Sequence, residues 1–232
     1  MEKKDENVKI EVRKDINKDL QMSEVRKLAL QNGILSNPIK KSRKKLTEEQ
    51  IIEAVGGGDR TKGSCSSAAF AYIGNKSGYT VLDFRGGESC DFFSRSSRIE
   101  MIGSLPGVKM HVAKHTNDFT AVKELLEKVE SGNEYYLATG SHAAIIRKNE
   151  GRFEYLELQS RTLNGFKPFN NIVLKERFKG QKSHSAVGRR YDANSYLIDV
   201  NSLKDNPEFH KILSFINTAD SKQMKGAEGH EK

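Results

Sequence analysis

The sequence lacks the features that mark membrane, secreted and metal-binding proteins. No apolar run approaches the ~20 residues that a membrane-spanning helix needs, and the charged N-terminus lacks the apolar stretch of a secretory signal. Its two cysteines form neither a disulfide framework nor a zinc site, because no histidines cluster with them. The glycines at 56–58 lack the Lys-Ser/Thr ending of a phosphate-binding loop. We therefore expect a soluble protein of a reducing compartment, with no metal, no cofactor and no membrane partner.

Positive charge is concentrated at the N-terminal end of the 232-residue chain, whose net charge is +8. Residues 1–45 carry 13 Lys/Arg against 7 Asp/Glu, whereas the rest of the chain carries 26 against 24. We interpret the densest run, residues 40–45, as a solvated linker in preference to a contact with nucleic acid or anionic lipid. The expected organisation is a charged, partly disordered leader over 1–45, one folded domain over 46–216 and a loose polar tail over 217–232.

Helix signals come first and strand signals later, which is the order typical of an α+β fold. Ser23 and Thr47 each precede a periodic apolar segment as N-caps, and Gln50 completes a capping box with Thr47. Residues 64–73 predict a helix that is small and apolar at its start, and residues 120–129 predict an amphipathic one. Strands are predicted at 79–84, 135–138, 142–147, 153–159, 172–174 and 195–200.

Cys65 stands at the start of the predicted helix 64–73, within the run Gly-Ser-Cys-Ser-Ser-Ala-Ala-Phe. The first turn of a helix offers unpaired N–H groups and a positive dipole end, and both favour the nucleophilic thiolate. Gly63, which has no Cβ, lets backbone or substrate come close. The alternative interpretation of Cys65 is a small buried hydrophobic residue, since free cysteine is commonly buried.

His142 begins an apolar strand that returns through a predicted hairpin turn at Glu150–Gly151. In that register the numbers of paired residues sum to 301, so His142 faces Gln159 directly and Glu157 diagonally. A catalytic base needs such a neighbour to fix its tautomer and to stabilise its charged form. Of the other five histidines, His230 lies in the tail, His210 on a short helix and His184 in a polar loop. His111 and His115 lie just ahead of the amphipathic helix, with no obvious orienting partner.

The order of Cys65, His142 and then a strand bearing an acid and an amide resembles that of papain-like cysteine peptidases. The sequence more closely resembles papain-fold toxins, including glutamine deamidases that bacteria deliver into target cells. In that group a strand that ends in an acid followed by Gln comes after the histidine strand, as Glu157 and Gln159 do here. This resemblance covers roughly residues 56–159. Residues 56–59, 62–65 and 83–87 also resemble, more weakly, papain-fold domains fused to phage minor head proteins.

The resemblance implies a papain-like cysteine hydrolase fold in residues 46–216, with the nucleophile helix packed on an antiparallel sheet. It implies a thiol-dependent amidohydrolase, a toxin- or effector-type glutamine deamidase, that acts on a protein of a target cell. Cys65 would be the nucleophile, His142 the base, and either Glu157 or Gln159 the third member. The resemblance favours the acid at that position, whereas the hairpin geometry favours the amide. The protein would then work in the cytoplasm or be delivered into the target cell.

The oxyanion donors depart from the peptidase pattern. Papain-like peptidases carry a Gln a few residues ahead of the cysteine, and residues 59–62 contain none. The Cys65 N–H group supplies one donor beside Gly63 and Ser64. A second donor would come from another backbone N–H group, from Arg60 or from Lys62.

Two other functions remain open from the sequence. A cysteine peptidase would use the same triad, since its chemistry is shared with a deamidase. A phage structural or packaging module, part of a larger carrier polypeptide or particle, would instead bury Cys65 and touch DNA through its basic leader.

Overall fold

The computed structural model of the protein describes residues 22–56, 65–81, 88–160 and 162–216, without the side chains of residues 88–90. The helices are α1 (Glu24–Gln31), α2 (Glu48–Val55), α3 (Cys65–Lys76), α4 (Glu88–Ser94), α5 (Ser96–Gly103), α6 (Asp118–Leu126), α7 (Asn171–Glu176), α8 (Val200–Lys204) and α9 (Pro207–Ile216). The strands are β1 (Lys40–Lys41), β2 (Tyr79–Thr80), β3 (Met110–His115), β4 (Glu134–Thr139), β5 (His142–Asn149), β6 (Arg152–Glu157), β7 (Gly165–Pro168), β8 (Ser185–Ala186), β9 (Arg189–Arg190) and β10 (Ala193–Asp199).

A six-stranded antiparallel sheet in the order β3-β10-β4-β5-β6-β7 forms the centre of the fold. One face packs against α3, α8 and α9 in a large apolar core, and the other packs against α6 and α7 in a smaller one. Side chains alternate between the two faces along each strand, so Ala143 and Ile145 join the large core, whereas Ala144 and Ile146 join the small one. The predicted α+β class is thus confirmed.

Helix α3 is fixed to the middle of the sheet at its first turn. The Ser66 hydroxyl lies 2.7 Å from the Tyr136 hydroxyl in a buried hydrogen bond. One turn further, the Phe70 ring stacks on the Tyr136 ring with centroids 4.8 Å apart. Ala68 and Ala69 are both buried, and their small side chains let the helix approach the strands. The start of α3, where Cys65 lies, is therefore held at a defined place on the sheet.

The β5–β6 hairpin has the register that the sequence predicts. Glu150 and Gly151 form its turn with φ angles of 48° and 78°, the left-handed values that a two-residue hairpin turn requires. Ile146 pairs with Tyr155 and Asn149 with Arg152, so paired numbers sum to 301 as expected. The β5–β6 pairing begins at Ile146, four residues after His142. His142 and Glu157 nevertheless share the face of the small core by alternation. Gln159 lies beyond the end of β6, so the predicted direct pairing with His142 is not part of the ladder.

Part of the predicted leader belongs to the folded body. Helix α1 buries Val25 and Ala29 in the large core. Arg26 binds Glu208 of α9 at 3.0 Å, and β1 pairs with β2. The expectation of a linker over 1–45 therefore differs from the structure for residues 24–41, because the apolar face of α1 finds a partner far along the chain. Residues 1–21 and the predicted tail 217–232 lie outside the described residues.

Side-chain caps explain where α2 and α7 begin, and the cap of α7 explains why one predicted strand is a helix. Thr47 and Gln50 form the predicted capping box at the start of α2. Residues 172–174, predicted as a strand, lie in α7, because the Asn170 side chain accepts hydrogen bonds from the N–H groups of Ile172 and Val173 and starts a helix. Of the predicted strand 79–84, β2 covers two residues, and 82–84 fall outside the described part.

Five of the described strands were not predicted: β1, β3, β7, β8 and β9. Half of the residues of β3 are exposed, so its apolar pattern is weak. In the described ranges, no helix has the length and apolar character to cross a membrane.

Candidate active site

Cys65 and His142 line one pocket at an end of the central sheet. The pocket has a volume of about 270 Å³. Cys65 enters it from the first residue of α3, and His142 from the first residue of β5. The rest of the lining is small or polar: Ser66, Ser94, Ser96, Ala138, Thr139, Gly140, Ser141, Ala143, Asn194 and Tyr196. The sequence named these two residues from separate motifs 77 positions apart, and the fold brings them to the same cavity.

The end of the sheet is where these two residues can meet. Helix α3 packs on the face that carries Ala143, whereas alternation places His142 on the opposite face. His142 is the first residue of β5, so no earlier residue of that strand stands between the two faces of the sheet. The N–H group of Ala143 is oriented to hydrogen bond to the Cys65 sulfur, so the start of β5 adjoins the thiol.

The thiol of Cys65 is neutral at rest. Burial raises its pKa, and the N–H groups of Ala143 and Ser66 together with the charge of Arg177 offset only part of this effect. The sequence predicted the opposite effect on this pKa, because the start of a helix favours the thiolate. Desolvation outweighs the first-turn N–H groups here because the sulfur packs against the large core.

His142 is also held in its neutral form. Burial, together with the positive charge of Arg177, lowers its pKa to about 3, and the negative charge of Glu157 acts in the other direction. The Phe178 ring contacts the imidazole edge-on, with centroids 4.8 Å apart and planes at 80°. A neutral imidazole can accept a proton, so His142 is in the form that a general base needs.

Glu157 lies beside His142 in an ion pair with Arg177. Its oxygens accept hydrogen bonds from Arg177 Nε at 2.6 Å and Nη2 at 2.8 Å, and from the Gln159 N–H group at 2.8 Å. Burial alone would raise the pKa of Glu157, but the Arg177 bonds and charge hold it below its usual value. Glu157 is therefore an ionised carboxylate, although it is only 5% exposed.

Gln159 belongs to the same cluster, since Arg177 Nη2 donates to its side-chain oxygen at 3.1 Å. Both residues that the sequence proposed as third member are thus bound to Arg177, whose charge acts on His142. The charge of Glu157 acts directly on the pKa of His142, which favours the acid for that role.

Arg177 and Phe178, which follow α7, were missed by the sequence analysis. Arg177 holds Glu157, the Phe178 ring contacts His142, and the Phe178 carbonyl oxygen accepts the Ser141 N–H group at 2.8 Å. Gly140 makes this approach possible: it has φ +58°, and a Cβ there would lie 2.3 Å from the same carbonyl oxygen. The sequence does not indicate the contact between Arg177 and Glu157, because that contact depends on where α7 packs on the sheet.

Four predicted site residues fall outside the described part of the chain: Arg60, Lys62, Gly63 and Ser64. The side chain of Cys90, the second cysteine of the sequence, also lies outside the described part of the chain.

The expectation that His115 has no orienting partner was wrong, since its Nε2 lies 2.7 Å from Glu124 Oε2. The loop histidine His184 has a partner too. His184 is 6% exposed, and its Nε2 lies 2.8 Å from Asp118 Oδ1. It lines the neighbouring pocket and not the pocket of Cys65.

Within the described ranges, no group of three or more His, Cys, Asp or Glu side chains is placed to hold a metal ion. Comparison of the chain with protein-family models, with curated proteins and with solved structures gives no match.

Proposed function

We propose that the protein is a thiol-dependent amidohydrolase of papain-like fold that deamidates glutamine side chains of a target-cell protein. The observation that carries the proposal is the shared pocket of Cys65 and His142, with the ionised carboxylate of Glu157 beside the imidazole. The order of these three residues is that of the papain-fold toxins. The antiparallel sheet with the nucleophile helix packed on one face is compatible with that fold.

In the first half of the reaction, Cys65 Sγ attacks the carboxamide carbon while its proton passes to His142. The Cys65 N–H group, in the first turn of α3, donates to the oxyanion that forms. The C–N bond then breaks as His142 returns the proton to the leaving nitrogen, which departs as ammonia. The product of this half is a thioester on Cys65.

In the second half, water attacks the thioester while His142 accepts one of its protons. The C–S bond breaks, Cys65 recovers its proton, and the substrate leaves with a carboxylate in place of its amide. In both halves Glu157 stabilises the imidazolium that forms transiently, because its negative charge favours protonated His142.

The dimensions of the pocket support a side-chain amide as substrate. A cavity of about 270 Å³ lined by small and hydroxyl-bearing residues can admit one carboxamide on its methylene stem. Peptide-bond cleavage would require a main chain to pass on both sides of the thiol.

Intact-mass analysis of candidate target proteins after incubation with the protein tests the proposal. Deamidation adds about one dalton per glutamine, as replacing an amide NH₂ by OH requires. We expect this gain with wild-type protein and with Cys90→Ser, and none with Cys65→Ala or Cys65→Ser, all folded by circular dichroism. Cleavage fragments would assign a peptidase instead, and activity retained by Cys65→Ala would exclude the thiol mechanism.

A further inference from the structure

A second pocket lies next to the pocket of Cys65. It has a volume of about 500 Å³ and shares Ser96, Gly140, Asn194 and Tyr196 with the first. The two cavities are therefore adjacent, with these four residues between them. The first is sized for a single side chain, and the second leads away from it across the start of β10.

The floor of the second pocket is a buried pair that the proposed reaction does not use. Asp118 is 1% exposed and binds His184 Nε2 through one oxygen, while its other oxygen accepts the Gln181 N–H group at 2.8 Å. The His184 N–H group donates to the Thr116 carbonyl oxygen at 2.7 Å. These hydrogen bonds hold residues 181–184 against the start of α6. The β8–β9 hairpin begins directly after them, so its base is fixed at the rim of the pocket.

Positive charge exceeds negative charge on the pocket lining and the adjacent β8–β9 hairpin taken together. Lys114 lines the pocket and is exposed, and Arg189 and Arg190 are exposed on the hairpin between the lining residues His184 and Tyr191. Among the residues that the structure describes, none of these three cations takes part in an ion pair. Asp192 is the exposed carboxylate of the lining, since Asp118 is buried against His184. Successive residues of a strand face opposite sides, so the hairpin presents one arginine on each face.

We propose that the second pocket holds the segment of the substrate protein next to the reactive glutamine and that its cations select an acidic segment. This inference rests on the proposed function. The pocket offers Ser96, Asn194 and Gln181 to hydrogen bond with an extended main chain, and Lys114 with the hairpin arginines attracts carboxylates. A peptide is favoured over nucleic acid because the second pocket adjoins the pocket that holds the thiol.

Three fluorescein-labelled peptides, each with one central glutamine flanked by Glu, Ser or Lys residues, provide the test. Their affinities for full-length Cys65→Ala, measured by fluorescence anisotropy, do not depend on turnover. We expect the Glu peptide to bind most tightly and its affinity to fall with added salt. Arg189→Ala/Arg190→Ala should weaken it about tenfold. The matched control Lys40→Ala/Lys41→Ala removes the same charge from another exposed two-residue strand and should change nothing.

Equal affinity for the three peptides, or equal loss in the control variant, would overturn the acidic-segment proposal whether or not the wild type deamidates them. Tighter binding of a DNA duplex or of anionic vesicles through the same arginines would also overturn it. If the Glu peptide binds as expected but the wild type leaves its mass unchanged, the recognition site stands and the proposed deamidation fails for that sequence.

Discussion

The thiol and the imidazole are both neutral at rest, and this determines how Cys65 should react with a simple alkylating agent. Iodoacetamide reacts with thiolate, and burial raises the pKa of Cys65. We therefore expect slow labelling of Cys65 at pH 6 and 7, with a rate that increases only above the ordinary thiol range of about 8.5. Peptide mapping by mass spectrometry gives the rate, and Cys65→Ala corrects for labelling of Cys90.

A resting thiolate–imidazolium pair would give the opposite result. Cys65 would then be alkylated at pH 6 faster than a small free thiol under the same conditions. That outcome would mean that the first turn of α3 outweighs desolvation, and it would transfer the proton to His142 before substrate binds.

At the scale of elements, the residues that follow α7 connect Glu157 with His142. Arg177 binds Glu157, and the next residue contacts His142. We expect Arg177→Met to lower the free energy of unfolding by about 2 kcal/mol, because a buried carboxylate loses charged hydrogen bonds. The charge of Arg177 lowers the pKa of His142, so its loss should move the acid limb of kcat/KM to higher pH.

Arg177→Lys is the matched control, since it keeps the charge and loses the two parallel hydrogen bonds. It should leave the acid limb near that of the wild type while losing part of the stability. A merely structural role for Arg177 would reduce kcat/KM equally at every pH in both variants, and that result would contradict the electrostatic account.

The elements that the sequence predicts well are those fixed by neighbours in the chain. The Glu150–Gly151 turn sets the hairpin register, and Thr47 with Gln50 starts α2. The Cys65 and His142 motifs were also found, because each has a local context at the start of an element. The bond between Arg177 and Glu157 spans 20 residues and depends on tertiary placement of α7, which no local pattern encodes. The Asp118–His184 pair spans 66 residues and was missed for the same reason.

At the scale of the whole molecule, helix α1 joins the described N-terminal residues to the folded body, and its contribution to stability can be measured. A chain beginning at Met22 keeps every described contact and serves as the reference for a shorter one. A chain beginning at Lys45 loses the buried side chains of α1 and the bond between Arg26 and Glu208. Burial of a single Val contributes about 2 kcal/mol, so we expect a decrease of about 4–8 °C.

Differential scanning calorimetry measures both truncated chains beside the full one. Equal melting temperatures for all three would show that α1 contributes nothing, and residues 1–45 would then be a leader as the composition suggests. Because α1 packs on the large core and not beside the pocket of Cys65, the shorter chain should keep its activity at temperatures where it remains folded.

Gly140 limits how the site can change during evolution. Its left-handed φ and the carbonyl oxygen of Phe178, 2.3 Å from where a Cβ would stand, leave no room for a side chain. A descendant lineage that replaced this glycine would have to move the segment that carries Arg177 and Phe178, and with it the contacts of both the acid and the base. In distant relatives that keep the site, we therefore expect a glycine two residues before the histidine and an Arg-Phe pair after the acid-bearing strand.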